Sequence, residues 1–223
     1  MPLALALLNT SNPRLTVTDA MGRLAHDAHP EVAEAALLGL GLAAAGTNNA
    51  RVAGQLRQLA AYYYKEPGLL FLVRVSQGLV HLGKGLLTLA PGHSDKGLLA
   101  RPSLACLLTV CVAGLSCKET LLGKHHQLLY ALTPAMAPRM LFTVDEEGKA
   151  VAAAVRVGEA IDVVGQAGRP KAITGFQTHT TPVLLAVGER AELATDKWLP
   201  VSPILEGVVI LRPNPDFEEA GGK

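Results

Sequence analysis

The stretch Gly41-Leu-Ala-Ala-Ala-Gly46 decides the fold, because its pattern returns in Gly78-Leu-Val-His-Leu-Gly83. Both glycines recur after 37 residues (41 to 78 and 46 to 83), and Pro30 recurs as Pro67 at the same offset. A weaker third copy begins at Gly114. A fixed period of about 20–50 residues is typical of solenoids, and this unit is long enough for a helix–turn–helix pair. The sequence therefore predicts a helical solenoid in the first part of the chain.

The recurring glycines predict close contacts between helices. Glycine inside a helix costs about 0.5–1 kcal/mol relative to alanine, so its recurrence indicates a compensating gain. Gly39, Ala43 and Gly46 share one face of their helix, and that face is smooth. We expect Gly41 and Gly78 to let helices of stacked repeats approach each other closely.

Helix boundaries follow from prolines, glycines and asparagines around the repeat. Gly46 is expected in the left-handed conformation that ends a helix, and Asn49 is expected to cap the next one. The predicted helices cover residues 15–24, 31–45, 50–64, 69–82, 96–115 and 119–132.

After Pro134 and Pro138 the pattern changes to short β-strands separated by turns. The predicted strands cover residues 140–144, 150–157, 161–164, 171–178, 182–187, 189–193 and 204–211, with a hairpin loop at 145–148, a loop at 166–170 and a possible bulge at Gly207. The predicted fold class is α+β. An α-solenoid covers residues 1–135, a small β-sandwich or barrel-like domain covers 136–215, and 216–223 form a disordered tail.

Composition restricts the class of protein. The 223 residues are 49% hydrophobic but only 4% aromatic, and the net charge is +1. Leucine and alanine favour closely packed helices, and the small charge predicts no nucleic-acid or membrane-surface partner. The longest uncharged apolar runs, 35–50 and 102–117, are each 16 residues long. A membrane span needs about 18–20, so both are predicted to be core helices.

The three cysteines lie within one apolar segment, as Cys106, Cys111 and Cys117. An odd number of cysteines without a signal peptide indicates a reducing compartment. No nearby histidine or carboxylate has the spacing of a zinc site, so the cysteines are predicted to be small buried hydrophobic residues.

The segment Gly78-Leu-Val-His-Leu-Gly83-Lys84-Gly85 partly matches a phosphate-binding loop. Such a loop requires Ser or Thr where Gly85 stands, and it lies between a strand and a helix. Gly41 and Gly46 repeat the frame without any lysine. The match is therefore interpreted as part of the repeat. A nucleotide-binding site that uses Lys84 is the weaker alternative.

Other candidate side chains also lack the pattern of a reaction centre. Adjacent residues on a helix point in different directions, so His125 and His126 are poorly placed to share a metal. His179 lacks a recognisable nucleophile, and the acids 145–147 are expected to be solvated at a hairpin tip. The tyrosine triplet at residues 62–64 is expected to lie partly in the core and partly on the surface as a contact site. No catalytic, cofactor-binding or metal-ligating residue is predicted, and no cofactor.

Most of the chain resembles one known family. The most specific strings are Gly165-Gln-Ala-Gly-Arg-Pro-Lys171, Ile173-Thr-Gly-Phe-Gln-Thr-His-Thr-Thr-Pro-Val183 and Gly188-Glu-Arg-Ala-Glu-Leu-Ala194. They are similar to the C-terminal part of the non-ATPase regulatory subunit 2 family of the 26S proteasome base. The glycine-rich repeats resemble the proteasome/cyclosome repeats of that family, whose helices stack into a closed toroid.

The resemblance implies a scaffold subunit without catalysis in the base of the regulatory particle. The implied partners are the ATPase-ring subunits and other regulatory-particle subunits, in the cytoplasm and nucleus. The family also docks ubiquitin, ubiquitin-like domains and a deubiquitinase, but through repeats that this sequence does not contain, so no binding residue is assigned. Two alternatives stay open: a general α-solenoid adaptor, and a nucleotide-binding or hydrolytic enzyme using Lys84 or His179.

The first residues predict that the chain is a piece of something longer. Residues 2–8 are too apolar to face water, and they occupy the register of the Gly41 helix one repeat earlier. Because each repeat of a solenoid contacts its neighbours, we expect this end to expose apolar surface. The full chain is therefore expected to self-associate or to need a partner, and residues 138–215 alone are expected to be more soluble.

Overall fold

Helices of the first part follow the 37-residue repeat. The structure, a computed structural model, describes residues 1–92, 99–161, 172–186 and 188–217. Residue contacts divide the chain into two units, Met1–Ala137 and Pro138–Lys223. The loop predicted at 166–170 and the tail residues 218–223 lie outside the described residues. In the described part, no helix is both long and apolar enough to cross a membrane.

The first unit is built from helices whose ends match the sequence signals. The α-helices are α1 (Pro2–Leu8), α2 (Leu15–Leu24), α3 (Pro30–Ala43), α4 (Ala50–Tyr62), α5 (Pro67–Val80) and α6 (Arg101–Gly114). Proline stands in the first turn of α1, α3, α5 and α6, where its missing N–H is not needed. Asn49 caps α4 as predicted, because its side-chain oxygen accepts a hydrogen bond from the Val52 N–H at 3.1 Å.

Helix α3 is the centre of the first unit. All residues from Ala33 to Ala43 are buried, and α3 packs against α1, α2, α5 and α6. A helix that is apolar on all sides can be stable in water only when it is surrounded in this way. The stretch with which the repeat was recognised therefore also forms the core.

Gly41 allows α3 and α5 to approach closely, as predicted. A Cβ atom on Gly41 would lie 2.7 Å from the Cα of Ser76 on α5, and the Ser76 hydroxyl donates a hydrogen bond to the Leu37 carbonyl at 2.7 Å. Gly39 has a similar role towards α2, since its Cβ would lie 3.0 Å from the Met21 sulfur.

The same prediction for Gly78 is wrong. Gly78 is exposed, and a Cβ atom there would meet nothing within 4 Å. The two equivalent glycines differ because α3 lies inside the stack, whereas this face of α5 is open to solvent. A repeated residue therefore does not imply a repeated contact.

Left-handed backbone conformations recur with the repeat. Ser11, Asn48 and Gly85 follow one another at intervals of 37 residues (11 to 48 to 85), and their φ angles are 56°, 51° and 86°. Gly46 and Gly83, which are also 37 apart, have φ angles of 67° and 55°. Each repeat therefore turns with the same backbone geometry, although serine, asparagine and glycine occupy the first of these positions.

The helix predicted at 119–132 is not an α-helix. It is divided into a π-helical turn (Thr120–Lys124) and a 3-10 helix (His126–Ala135). Gly123, with φ −89° and ψ −127°, interrupts the first segment, and Pro134 lies inside the second. Glycine and proline both disfavour a continuous α-helix, which explains the difference. The preceding helix, predicted from residue 96, begins at Arg101; residues 96–98 lie outside the described residues.

The second unit consists mainly of short strands. The strands of the chain are β1 (Leu87–Leu89), β2 (Met136–Pro138), β3 (Met140–Val144), β4 (Ala154–Ile161), β5 (Ala172–Thr180), β6 (Val183–Leu184), β7 (Glu189–Leu193), β8 (Trp198–Pro200) and β9 (Val208–Pro213), of which β1 lies in the first unit and forms a separate pair with β2. The others form two sheets with the orders β6-β3-β9-β8 and β5-β4-β7. Their buried faces share one apolar core that includes Leu141, Val155 and Leu211. The predicted α+β fold class is confirmed.

The predicted hairpin after β3 is only partly correct. Val144 and Ala150 form an isolated bridge, but β4 begins at Ala154 and pairs with β5 and β7 rather than with β3. Strand β3 instead pairs in parallel with β9, with Phe142 opposite Val208. Gly207, with φ 63°, directly precedes β9 and does not lie in a bulge. The register shift lies in β4, between Val157 and Glu159.

Candidate interaction surfaces

The geometry around Lys84 is not that of a phosphate-binding loop. This residue lies in a 3-10 turn (Leu82–Gly85) that follows helix α5 and precedes β1, whereas a phosphate-binding loop follows a strand and opens a helix. The Asn48 amide donates a hydrogen bond to the Lys84 carbonyl at 3.1 Å. The Asn48 oxygen also lies 2.8 Å from Nδ1 of His81. This turn therefore connects two repeats.

The histidines that were considered for catalysis or metal binding are on the surface. His125 and His126 are exposed at the junction of two short helical turns. His179 is exposed on β5, where its cross-strand neighbour is Val155. Within the described ranges, no group of three or more histidine, cysteine or acidic residues is arranged to hold a metal ion.

The acidic tip after β3 is a structured turn. Asp145 accepts hydrogen bonds from the N–H groups of Glu147 and Lys149, at 3.0 and 2.8 Å. Glu146 pairs with Arg212 at 2.5 Å, and Glu147 pairs with Lys149 at 2.6 Å. The hydrogen bonds to Asp145 hold the turn, while Glu146 and Glu147 are paired with cations and stay exposed to solvent.

The cysteines differ in accessibility. Cys111 and Cys117 are buried, as predicted, while Cys106 is half-buried on the same segment. Burial raises the pKa of both the Cys111 and the Cys117 thiol to about 11. Cys117 also donates a hydrogen bond through its sulfur to the Gly68 carbonyl at 3.5 Å. The thiolate is the reactive form, so two of the three thiols are poorly reactive in the folded state.

We expect a thiol reagent at pH 8 to modify Cys106 first in the folded chain. Cys111 and Cys117 should react only as fast as the unit opens, because they are buried and protonated. Mass spectrometry of peptides after timed labelling measures the three rates. A Cys106→Ala chain should lose the fast phase, and rapid labelling of Cys111 in that chain would contradict the structure.

Glu34 is an acidic side chain within the buried helix α3. Its exposed fraction is 9%. Burial raises the pKa of this carboxyl above its ordinary value, although the Cys117 backbone N–H and the charge of Lys118 act in the opposite direction. The charged form of Glu34 is therefore less favourable in the folded chain than in the unfolded chain.

We expect Glu34→Gln to stabilise the first unit at neutral pH. An acid with a raised folded-state pKa contributes stability that is complete below its unfolded pKa, here near 4.5, and is lost as the pH rises through the folded value. Glutamine removes this pH-dependent loss and can still accept the Cys117 hydrogen bond. The melting temperature of Glu34→Gln relative to wild type should rise between pH 4 and pH 7. An unchanged difference across that range would refute the assignment.

A groove of about 540 Å³ lies between α2 and α4, the outer helices of two consecutive repeats. One wall is the stripe Asp19, Gly22, Arg23 and His26, and the other is formed by the residues 36 positions later (19 to 55, 22 to 58, 23 to 59 and 26 to 62). Both stripes have the spacing i, i+3, i+4 and i+7, which places their side chains on one helix face. The sequence contains this offset of 36 residues, but each stripe alone has the pattern of an ordinary solvent-facing helix face.

The rim of this groove is aromatic. His26 contacts Tyr62 edge-to-face with the ring centroids 4.8 Å apart, and Tyr62 has the same relation to Tyr63 at 4.8 Å. Tyr63 is buried, and its hydroxyl donates a hydrogen bond to the Ala25 carbonyl. Tyr62 is 64% exposed. The prediction that the tyrosine triplet is partly core and partly exposed is confirmed.

Two further surfaces are apolar. On α6, Leu108 and Val112 are exposed beside a groove of about 640 Å³. On the four-stranded sheet, Phe142, Val208 and Ile210 are exposed on the face opposite the core. Contiguous apolar surface of this kind is typical of protein contacts. The described residues therefore offer surfaces for protein binding at several places.

Two protein families match parts of the sequence. The proteasome/cyclosome repeat matches residues 35–69, which include most of α3 and all of α4. The family described as "26S proteasome non-ATPase regulatory subunit RPN1 C-terminal" matches residues 164–217. The first match corresponds to the buried helix and the outer helix of one repeat, and the second lies in the β-rich part.

Individual relatives match nearly the whole chain. It is 62% identical to the 26S proteasome non-ATPase regulatory subunit 2 homolog A of Arabidopsis thaliana, over 98% of this chain and 25% of that protein. Identity is 54% to the 26S proteasome non-ATPase regulatory subunit 2 of Dictyostelium discoideum, over 97% and 24% of the two chains. It is 52% to the 26S proteasome regulatory subunit rpn1 of Schizosaccharomyces pombe, over 96% and 24%. The chain thus spans about a quarter of the length of these relatives.

Proposed function

Because the chain belongs to the 26S proteasome non-ATPase regulatory subunit 2 family, we propose that it acts as a noncatalytic scaffold piece of the proteasome regulatory particle. The observation that carries this proposal is the identity of 62% to a named proteasome subunit over 98% of the chain. Identity at that level extends over both units. It supports the inference that this chain has the fold and the contact surfaces of that subunit.

The architecture is consistent with a scaffold. Stacked repeats provide extended surfaces rather than a single cavity, and each repeat is stabilised by its neighbours. Among the described residues, those considered for chemistry, Lys84, His125, His126 and His179, lie in turns or on exposed positions. We propose that the partners are subunits of the ATPase ring and of the regulatory particle, and that the complex is located in the cytoplasm and the nucleus.

Docking of ubiquitin and ubiquitin-like domains is proposed only for the assembled family protein. Such docking supports ubiquitin-dependent protein degradation, and we assign it to family regions outside this sequence. No residue of this chain is given that role. The proposal for the chain itself is limited to the support of the assembly.

The test is binding of the purified full chain to purified proteasome ATPase-ring subcomplex and to intact regulatory particle. We expect a stable complex on native gels, with partner subunits identified by mass spectrometry. A Gly41→Leu chain, in which the contact with Ser76 is overfilled, should bind less well, while Gly78→Leu should bind like wild type.

Three results would contradict the proposal in different ways. A folded chain that binds neither preparation would exclude the scaffold role. Binding to unrelated proteins but not to proteasome subunits would favour a general solenoid adaptor. Saturable ATP binding that Lys84→Ala abolishes would favour the nucleotide-binding alternative.

A further inference from the structure

We propose that the groove between α2 and α4 binds an acidic segment of another protein, with a carboxylate placed at Arg23 and an apolar side chain placed against Tyr62. The proposal rests on the proposed scaffold function, because a scaffold needs surfaces of this kind, but its test is independent of proteasome binding. It assigns a binding chemistry to the outer face of two repeats.

The charges at the groove favour an acidic partner. Asp19 on the rim is neutralised by Arg51, whose guanidinium lies 2.8 Å from its carboxylate. Arg23 is exposed and lines the groove, and among the described residues it has no ion pair. The uncompensated charge is therefore positive. A guanidinium next to a partly apolar groove pairs well with a carboxylate, since it is less strongly hydrated than an ammonium.

A glutamine side chain contributes a polar group to the opposite wall. Gln55 on α4 lines the groove, and its side-chain oxygen is buried without a hydrogen-bond partner among the described residues. Because this oxygen has no exposed surface, a ligand in the groove cannot reach it, and recognition rests on the charge of Arg23 and on the apolar lining.

The shape of the groove favours a side chain with apolar surface beside the acid. Leu59 forms a buried part of the lining, and Tyr62 stands exposed at the rim. The Tyr62 ring is held by edge-to-face contacts with His26 and Tyr63, both at 4.8 Å. Rigid aromatic side chains lose little conformational entropy on binding and are common anchors. At Gly22 the opposite wall has no side chain, and Nε2 of Gln55 would lie 3.7 Å from a Cβ atom placed there.

The test uses a fluorescein-labelled 12-residue peptide of aspartate, leucine and alanine, with acidic and apolar residues at helical spacing. Fluorescence anisotropy with the full chain should show saturable binding. Replacing every aspartate by asparagine should weaken binding at least tenfold. In hydrogen-exchange mass spectrometry, the peptide should protect α2 and α4 of the wild-type chain.

Three variants locate the site. Arg23→Glu should weaken binding at least tenfold and should improve binding of a peptide with lysine in place of aspartate. Gly22→Leu keeps the charges but fills the groove, so it should also weaken binding at least tenfold. Arg74→Glu reverses an exposed arginine on α5 outside the groove and should change binding by less than twofold.

Any of four outcomes would overturn the proposal. The first two are the absence of saturable peptide binding to the wild-type chain and protection from hydrogen exchange outside α2 and α4. The others are a loss of peptide affinity in Arg74→Glu as large as in Arg23→Glu, and competition by inorganic phosphate that is as effective as competition by the peptide. Loss of peptide binding with intact capture of proteasome subunits would reject this site and leave the scaffold function standing. The reverse result would reject the scaffold function but retain the site.

Discussion

Gly41→Ala should destabilise the first unit by about 1–3 kcal/mol, the usual range for overpacking a filled core. A methyl group at this position would lie 2.5 Å from the Ser76 hydroxyl oxygen and 2.7 Å from the Ser76 Cα. The obstacle includes backbone, so it cannot be relieved by a side-chain rotation. Helices α3 and α5 would have to separate, which would also weaken the hydrogen bond from Ser76 to the Leu37 carbonyl. Gly41→Leu should have a larger effect in the same direction.

The equivalent glycine one repeat later provides the control. Gly78→Ala meets nothing within 4 Å and lies near the end of the α-helix α5. Alanine should therefore stabilise by up to about 1 kcal/mol through helix propensity. Urea unfolding of both variants, with hydrogen exchange to assign the transition to the first unit, measures the pair. If both variants changed the free energy of unfolding by the same amount in the same direction, the two glycines would have the same environment, which would contradict the structure.

Gly46→Ala should destabilise by about 2–4 kcal/mol, because two costs add at this residue. The φ angle of Gly46 is 67°, a conformation that alanine rarely adopts. A Cβ atom would also overlap the carbonyl oxygen of Leu87 and lie 2.9 Å from the carbonyl carbon. Strand β1 crosses the end of α3 at this point, so its pairing with β2 should be lost together with the contact.

Gly148→Ala separates the two costs. Gly148 has a φ angle of 81° but meets nothing within 4 Å, so alanine there carries only the conformational cost, about 1–2 kcal/mol. Thermal unfolding and hydrogen exchange of β1 should show a larger effect for Gly46→Ala than for Gly148→Ala. If the two variants lose the same stability, the approach of β1 to Gly46 does not contribute.

Much of the helical unit could be predicted from local signals. The left-handed conformation of Gly46, three residues after the end of α3, and the cap at Asn49 follow from preferences of single residues. The bounds of α2, Leu15–Leu24, agree with the prediction to the residue. The prediction of one helix over 119–132 was wrong, because it gave the apolar pattern more weight than the local preferences of Gly123 and Pro134.

The β-rich part was less predictable, because strand partners are distant in sequence. Strands β3 and β9 pair in parallel across more than 60 residues (144 to 208), and no turn signal can encode that choice. Strand β8 was missed because it is only three residues long and is held by its pairing with β9. The groove between α2 and α4 was not predicted for a related reason. Each wall is an ordinary helix face in the sequence, and only tertiary packing places the two faces side by side.

The sequence by itself determined the period of 37 residues, the α+β class and the family, because these depend on residue order and local backbone preference. Only the tertiary structure decided that Gly41 lies at a close contact between helices and that the equivalent Gly78 does not. It also placed Arg23 and Gln55 in the same groove. Strand β4, which was predicted to form a hairpin with β3, pairs instead with β5 and β7. The physical reason is that local preferences act within a few residues, whereas burial and pairing depend on which distant segments meet.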